Sequence, residues 1–188
     1  MDTTEASLEE RLAALEARVE ITELLARYCR AIDTRDAVLF ATVFTDDVHF
    51  RRTADGTFGT GRDALWDYIM AILGPMGPTL HTTTNSLEVE YHEGGVMHSQ
   101  HLGFAEHAVD DELVVAALTY HHQYGHTPDG RLGISSRIVE PWYFARARDL
   151  IDHYGSRRGY WWTGSPPDET LPESAPAWQR FHAPDQEE

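Results

Sequence analysis

The chain has 188 residues, of which 31 are Asp or Glu and 15 are Lys or Arg, for a formal charge of −16. That length supports one domain with a sizeable core, and the charge repels nucleic-acid phosphates and anionic membrane surfaces, so neither is expected as a partner. A single cysteine, Cys29, excludes an internal disulfide, and with no basic leader and no apolar run near the ~20 residues that span a bilayer, the expected location is the cytoplasm.

In chain order, Ser7-Leu-Glu-Glu10 has the form of a capping box, in which hydroxyl and carboxylate satisfy each other's orphan backbone donors. Leu8, Leu12, Leu15 and Val19, then Leu24 or Leu25, Tyr28 and Ile32, recur at helical spacing and predict one long amphipathic helix with Asp33 at its C-terminal end. A shorter helix is predicted over 36–44, a strand over "DVHFRR", and a third helix over 61–73 with Thr60 and Asp63 as a cap pair and "GPMGP" as its end. The stretch "GTFGTG" at 56–61 lacks the preceding buried strand and later acidic partner of a dinucleotide loop, and reads as a turn.

From residue 79 the period changes from about 3.6 to 2, and four strands are predicted over 79–92, 95–109, 112–126 and 132–147. Their short turn-like connections imply antiparallel neighbours. Helices followed by a meander define an α+β class, with N-terminal helices covering one face of a curved, mostly antiparallel sheet. Residues 151–188, rich in Pro, Gly, Ser and Trp without a period, are expected to be an extended C-terminal tail beyond a domain of residues 1–150.

Strand parity places His81, Thr83, Asn85, Leu87, Val89 and Tyr91 on one face of the first long strand. That face holds the apolar residues, so His81 is expected to point inward, where an imidazole needs hydrogen-bond partners. A structural histidine bonded to a backbone carbonyl satisfies that need, and so does a functional one. Metal binding is disfavoured by spacing: among the 11 histidines, His98 and His101 face opposite sides of a strand, as do His121 and His122, and no H-E-x-x-H or Cys pair is present. No metal site is expected. There is no G-x-S-x-G elbow, and Cys29 lies mid-helix among aliphatic residues.

Taken together, "ITELLARYCRAIDTRD" (21–36), "FTDDVHF" (44–50), "GRDAL" (61–65), "LHTTTNSLEVE" (80–90) and "TYHHQYGHTPDG" (119–130) resemble the SnoaL-like branch of the nuclear transport factor 2-like superfamily. That branch includes scytalone dehydratase, lindane dehydrochlorinase, bile acid 7α-dehydratase and polyketide cyclases. The resemblance implies a cone-shaped α+β barrel with an open pocket, and no cofactor. It also implies a catalytic pair, Asp33 from the end of the first helix and His81 from the first long strand, with Tyr28 matching a pocket tyrosine of the bile acid dehydratase. The pocket lining expected with them is Tyr120, His122, Asn85, Phe104, Trp66 and Arg137. Two departures stand out: Leu132 replaces a usual tryptophan, and Arg137 lies near the basic residue that some dehydratases carry on the last strand.

The chemistry implied is proton abstraction by His81, oriented by Asp33. Loss of a leaving group then gives a lyase, and reprotonation elsewhere an isomerase, acting on a small, largely apolar cyclic substrate. The competing class is a non-catalytic ligand-binding or assembly subunit, since the same fold serves as the β subunit of ring-hydroxylating dioxygenases. The two differ in whether the pair opens onto a closed pocket of about 300 Å³ or more. A homodimer or homotrimer is expected, with the tail contributing to its contacts.

Overall fold

The computed structural model describes residues 7–53, 56–91, 97–150 and 176–182; the side chains of residues 10, 85–88, 90, 91, 179, 181 and 182 lie outside the description. Helix α1 runs from Leu8 to Asp33 and α2 from Ala37 to Phe40. Strand β1 covers Phe44–Arg52, β2 Phe58–Thr60, and α3 Arg62–Leu73. The long meander follows as β3 Thr79–Tyr91, β4 Met97–Val109, β5 Glu112–His126 and β6 Leu132–Arg146. A short helix, α4, spans Pro176–His182. The expected capping box and the stretch 151–175 fall wholly or partly outside the described residues.

The fold is α+β. One six-stranded sheet has the order β2-β1-β6-β5-β4-β3. Its strands pair antiparallel except β1 with β6, which are parallel. Register shifts in the β3–β4 and β5–β6 pairings are the irregularities that bend a sheet. The sheet wraps around the helices without closing, so β2 and β3 remain its edges. Within the wrap, Ile21, Leu24, Leu25 and Ile32 of α1 and Leu65 of α3 form one core with Ile134 of β6.

Three local expectations are corrected. The helix expected over 36–44 stops at Phe40, because Val43 and Phe44 are drawn into the sheet: the Ile134 amide donates to the Val43 carbonyl at 2.8 Å, and Phe44 is in register with Ile134. The stretch read as a turn contains β2, three residues long and too short to show a period. The α3 cap is Gly61, at φ 101°, with no side-chain cap bond. Thr60 instead bonds His49 Nδ1 across the β1–β2 pair at 3.0 Å. Among the described residues, no helix is long and apolar enough to cross a membrane.

Candidate active site

The site begins where α1 ends. Arg35 takes φ 55°, and the bonds Asp36 N–H to Ala31 O and Arg35 N–H to Ile32 O close the helix in a Schellman pattern that usually employs glycine. Arg35 offsets that strain with its guanidinium, which donates to Ile32 O at 2.7 Å, to Leu73 O at the end of α3 at 3.0 Å, and to Thr79 Oγ1 at the start of β3 at 2.7 Å. The helix end is thereby fixed against β3.

Asp33 consequently faces three donors. Its Oδ1 accepts from Thr79 Oγ1 at 2.8 Å and from His81 Nδ1 at 2.6 Å, and its Oδ2 accepts from the His81 backbone amide at 2.8 Å. Burial pushes the Asp33 carboxyl up, but these bonds and the nearby imidazole outweigh it and hold the group below the usual carboxylate range. An ionised carboxylate only accepts, so Nδ1 of His81 is the donor to it, and in the neutral imidazole Nε2 is the nitrogen left with the lone pair. The imidazole is 9% exposed and lines a cavity between α1, α3 and the inner face of the sheet.

Across the cavity stand Tyr28, Tyr120 and Arg137. The Arg137 guanidinium lies 4.4 Å from the Tyr28 ring centroid and 4.6 Å from that of Tyr120, and its Nη2 donates to the Tyr28 hydroxyl at 2.5 Å. Its Nε and Nη1 are buried without a hydrogen-bond partner. Burial raises the Tyr28 phenol above its ordinary value although Arg137 pulls the other way, so it remains protonated near neutrality. Phe50, Leu65, Ile69, Leu118 and Phe144 supply apolar wall. The cavity volume is about 110 Å³, below the roughly 300 Å³ set above as the mark of the catalytic class. It is of the order of the engineered ~150 Å³ cavity that admits benzene.

The structure thus brings together Asp33, His81, Tyr28, Tyr120 and Arg137. It sets three other expected residues apart. Phe104 is 39% exposed: β4 turns His101, Gly103, Ala105 and His107 inward and Phe104 outward, opposite Thr82. Trp66 packs on Phe40, with ring centroids 5.0 Å apart, and is not among the residues that line the cavity. His122 is in register with Arg137 and stacks on Tyr120, behind the cavity wall. The Asn85 side chain lies outside the described residues.

Three residues at the site escaped the sequence reading. Arg35 and Thr79 hold Asp33, as described. His107 lines the cavity with its ring edge-on to His81, centroids 5.1 Å apart, and burial lowers its pKa to about 4. His107 shares a strand face with Ala105, and it is the β3–β4 register that sets Ala105 opposite His81. Among the described residues, no group of three or more His, Cys, Asp or Glu side chains could hold a metal ion.

Residues 13–148 match the SnoaL-like domain, and the chain belongs to that family. No curated protein matches the sequence. The fold is similar to that of a type 2 hexachlorocyclohexane dehydrochlorinase, with a TM-score of 0.63, 21% identity, and coverage of 72% of this chain and 92% of that one. It is also similar to a candidate scytalone dehydratase from Novosphingobium aromaticivorans, with a TM-score of 0.63, 17% identity, and coverage of 82% and 95%. A third similar structure is a Mycobacterium tuberculosis protein of unknown function, with a TM-score of 0.59, 25% identity, and coverage of 72% and 76%.

Proposed function

We propose that the protein is a cofactor-independent lyase or isomerase in which His81 removes a proton from carbon in a small, largely apolar cyclic substrate. The observation that carries this reading is the Asp33–His81 pair, with one imidazole nitrogen bonded to the carboxylate at 2.6 Å and the ring facing the cavity. Residues 1–150 act on this reading as the catalytic domain of a cytoplasmic homo-oligomer, and 151–188 as its tail. The dehydrochlorinase and dehydratase among the similar structures support the same broad class.

The steps follow from the groups present. Nε2 of His81 takes the proton, and Asp33 stabilises the imidazolium that forms, a contribution of roughly 10² to 10⁴ in rate. The electron pair left on carbon either forms a double bond as the leaving group departs or moves onto a conjugated oxygen. Arg137 Nε and Nη1 are donors for the charge that develops there, and the protonated Tyr28 is a donor for a departing oxygen. Elimination releases the leaving group; isomerisation returns the proton to another carbon.

The test is proton exchange at carbon. Cyclic enolisable ketones and β-hydroxy ketones are incubated with the protein in D2O and followed by NMR. The reading predicts deuterium incorporation or elimination with at least one of them, lost on His81→Ala with the fold retained. Retention of a ligand with no exchange across the panel would assign the chain to the non-catalytic class.

A further inference from the structure

Helix α1 has two apolar faces, and its own domain uses only one. Ile21, Leu24, Leu25 and Tyr28 are buried against the sheet, whereas Leu8, Leu12, Leu15 and Val19 are 78%, 53%, 62% and 57% exposed. Those four are spaced 4, 3 and 4 apart and share a face roughly opposite the buried one. The spacing is that of heptad positions d, a, d and a. In that register Arg11 and Arg18 fall at g, and Glu16 and Glu23 at e, all four exposed.

From this we infer that the outer face of α1 pairs with the same face of a second copy as a parallel two-stranded coiled coil. Charge sets the orientation. In a parallel pair, g of one helix meets e of the next heptad on the other, so Arg11 meets Glu16 and Arg18 meets Glu23 of the second copy, twice each by symmetry. An antiparallel pair sets g against g and e against e, Arg against Arg and Glu against Glu. Valine at one a position with leucine at both d positions favours two strands over three. Two heptads alone are marginal in water, but the C-terminal half of α1 is held helical by the domain, which removes the nucleation cost.

The test uses the full chain. Light scattering at micromolar concentration should give twice the 21.3 kDa of one chain, and Leu12→Glu with Leu15→Glu should give one chain mass with an unchanged melting profile of the domain. Arg11→Glu with Arg18→Glu should weaken the dimer by tenfold or more; adding Glu16→Arg and Glu23→Arg to that chain should restore it. Leu8→Cys should form an interchain disulfide, which a parallel pair allows and an antiparallel one does not. A monomeric wild type, with the chain's own tail or another protein as the occupant, overturns the inference. A dimer that survives both glutamates, or a Leu8→Cys dimer that does not crosslink, also overturns it.

Discussion

At the scale of residues, the candidate site is a chain of four side chains in which each fixes the next. Arg35 donates to Thr79, Thr79 donates to Asp33, and Asp33 accepts from His81. Thr79→Val deletes the middle of that chain, leaving Asp33 Oδ1 one donor short and one Arg35 N–H without its acceptor. The expected outcome is a roughly tenfold loss of kcat/KM with at most ~1–3 kcal/mol of stability, and recovery in Thr79→Ser, which keeps both bonds. Equal activity in the valine and serine variants would show that the hydroxyl does not position the pair. The positions of Asp33 and His81 were legible in the sequence because helix end and strand parity are local properties, whereas their pairing was implied by the family resemblance. Arg35 and Thr79 were not, because their bonding depends on where α1 lands on a strand 44 residues further along.

At the scale of elements, the four long strands announced themselves through their period, and their observed limits differ from expectation by no more than two residues. What period could not supply was the partner across each pairing. Phe104 was expected among the pocket lining, yet the inward position belongs to its neighbour Gly103, whose missing side chain makes room for Tyr120. A Cβ on Gly103 would lie 2.5 Å from Tyr120 Cε2 and 2.6 Å from Leu118 Cδ1. Gly103→Ala is therefore expected to cost about 1–3 kcal/mol and to displace a cavity wall, whereas Phe104→Ser should change stability by less than about 1 kcal/mol. Chemical denaturation of the two variants checks the assignment of faces. A larger loss for Phe104→Ser than for Gly103→Ala would reverse it.

For the whole molecule, the interior of the cone sets a pH limit. His101 and His107 are buried, and desolvation lowers each from 6.5 to about 4; burial also holds His122 well below its ordinary value. The unfolded chain takes up protons at these sites before the folded one, so stability falls as pH drops from about 6.5 toward 4, on the order of 3 kcal/mol for each of the first two if fully developed. Asp33, with its lowered pKa, adds a further loss only below the ordinary carboxylate range. Melting temperature should thus decline across pH 6.5 to 4, and His101→Gln should flatten that decline; a flat wild-type profile would contradict the buried neutral histidines. The catalytic account itself turns on Asp33→Asn. Because Oδ2 faces the His81 backbone N–H, the asparagine oxygen must stay there and its NH2 must face His81 Nδ1, which moves the imidazole proton to Nε2. The measurement is kcat/KM of Asp33→Asn for a substrate found in the exchange screen: a fall of about 10⁴, as for the equivalent change in a serine protease triad, is predicted, and an undiminished rate would contradict the account.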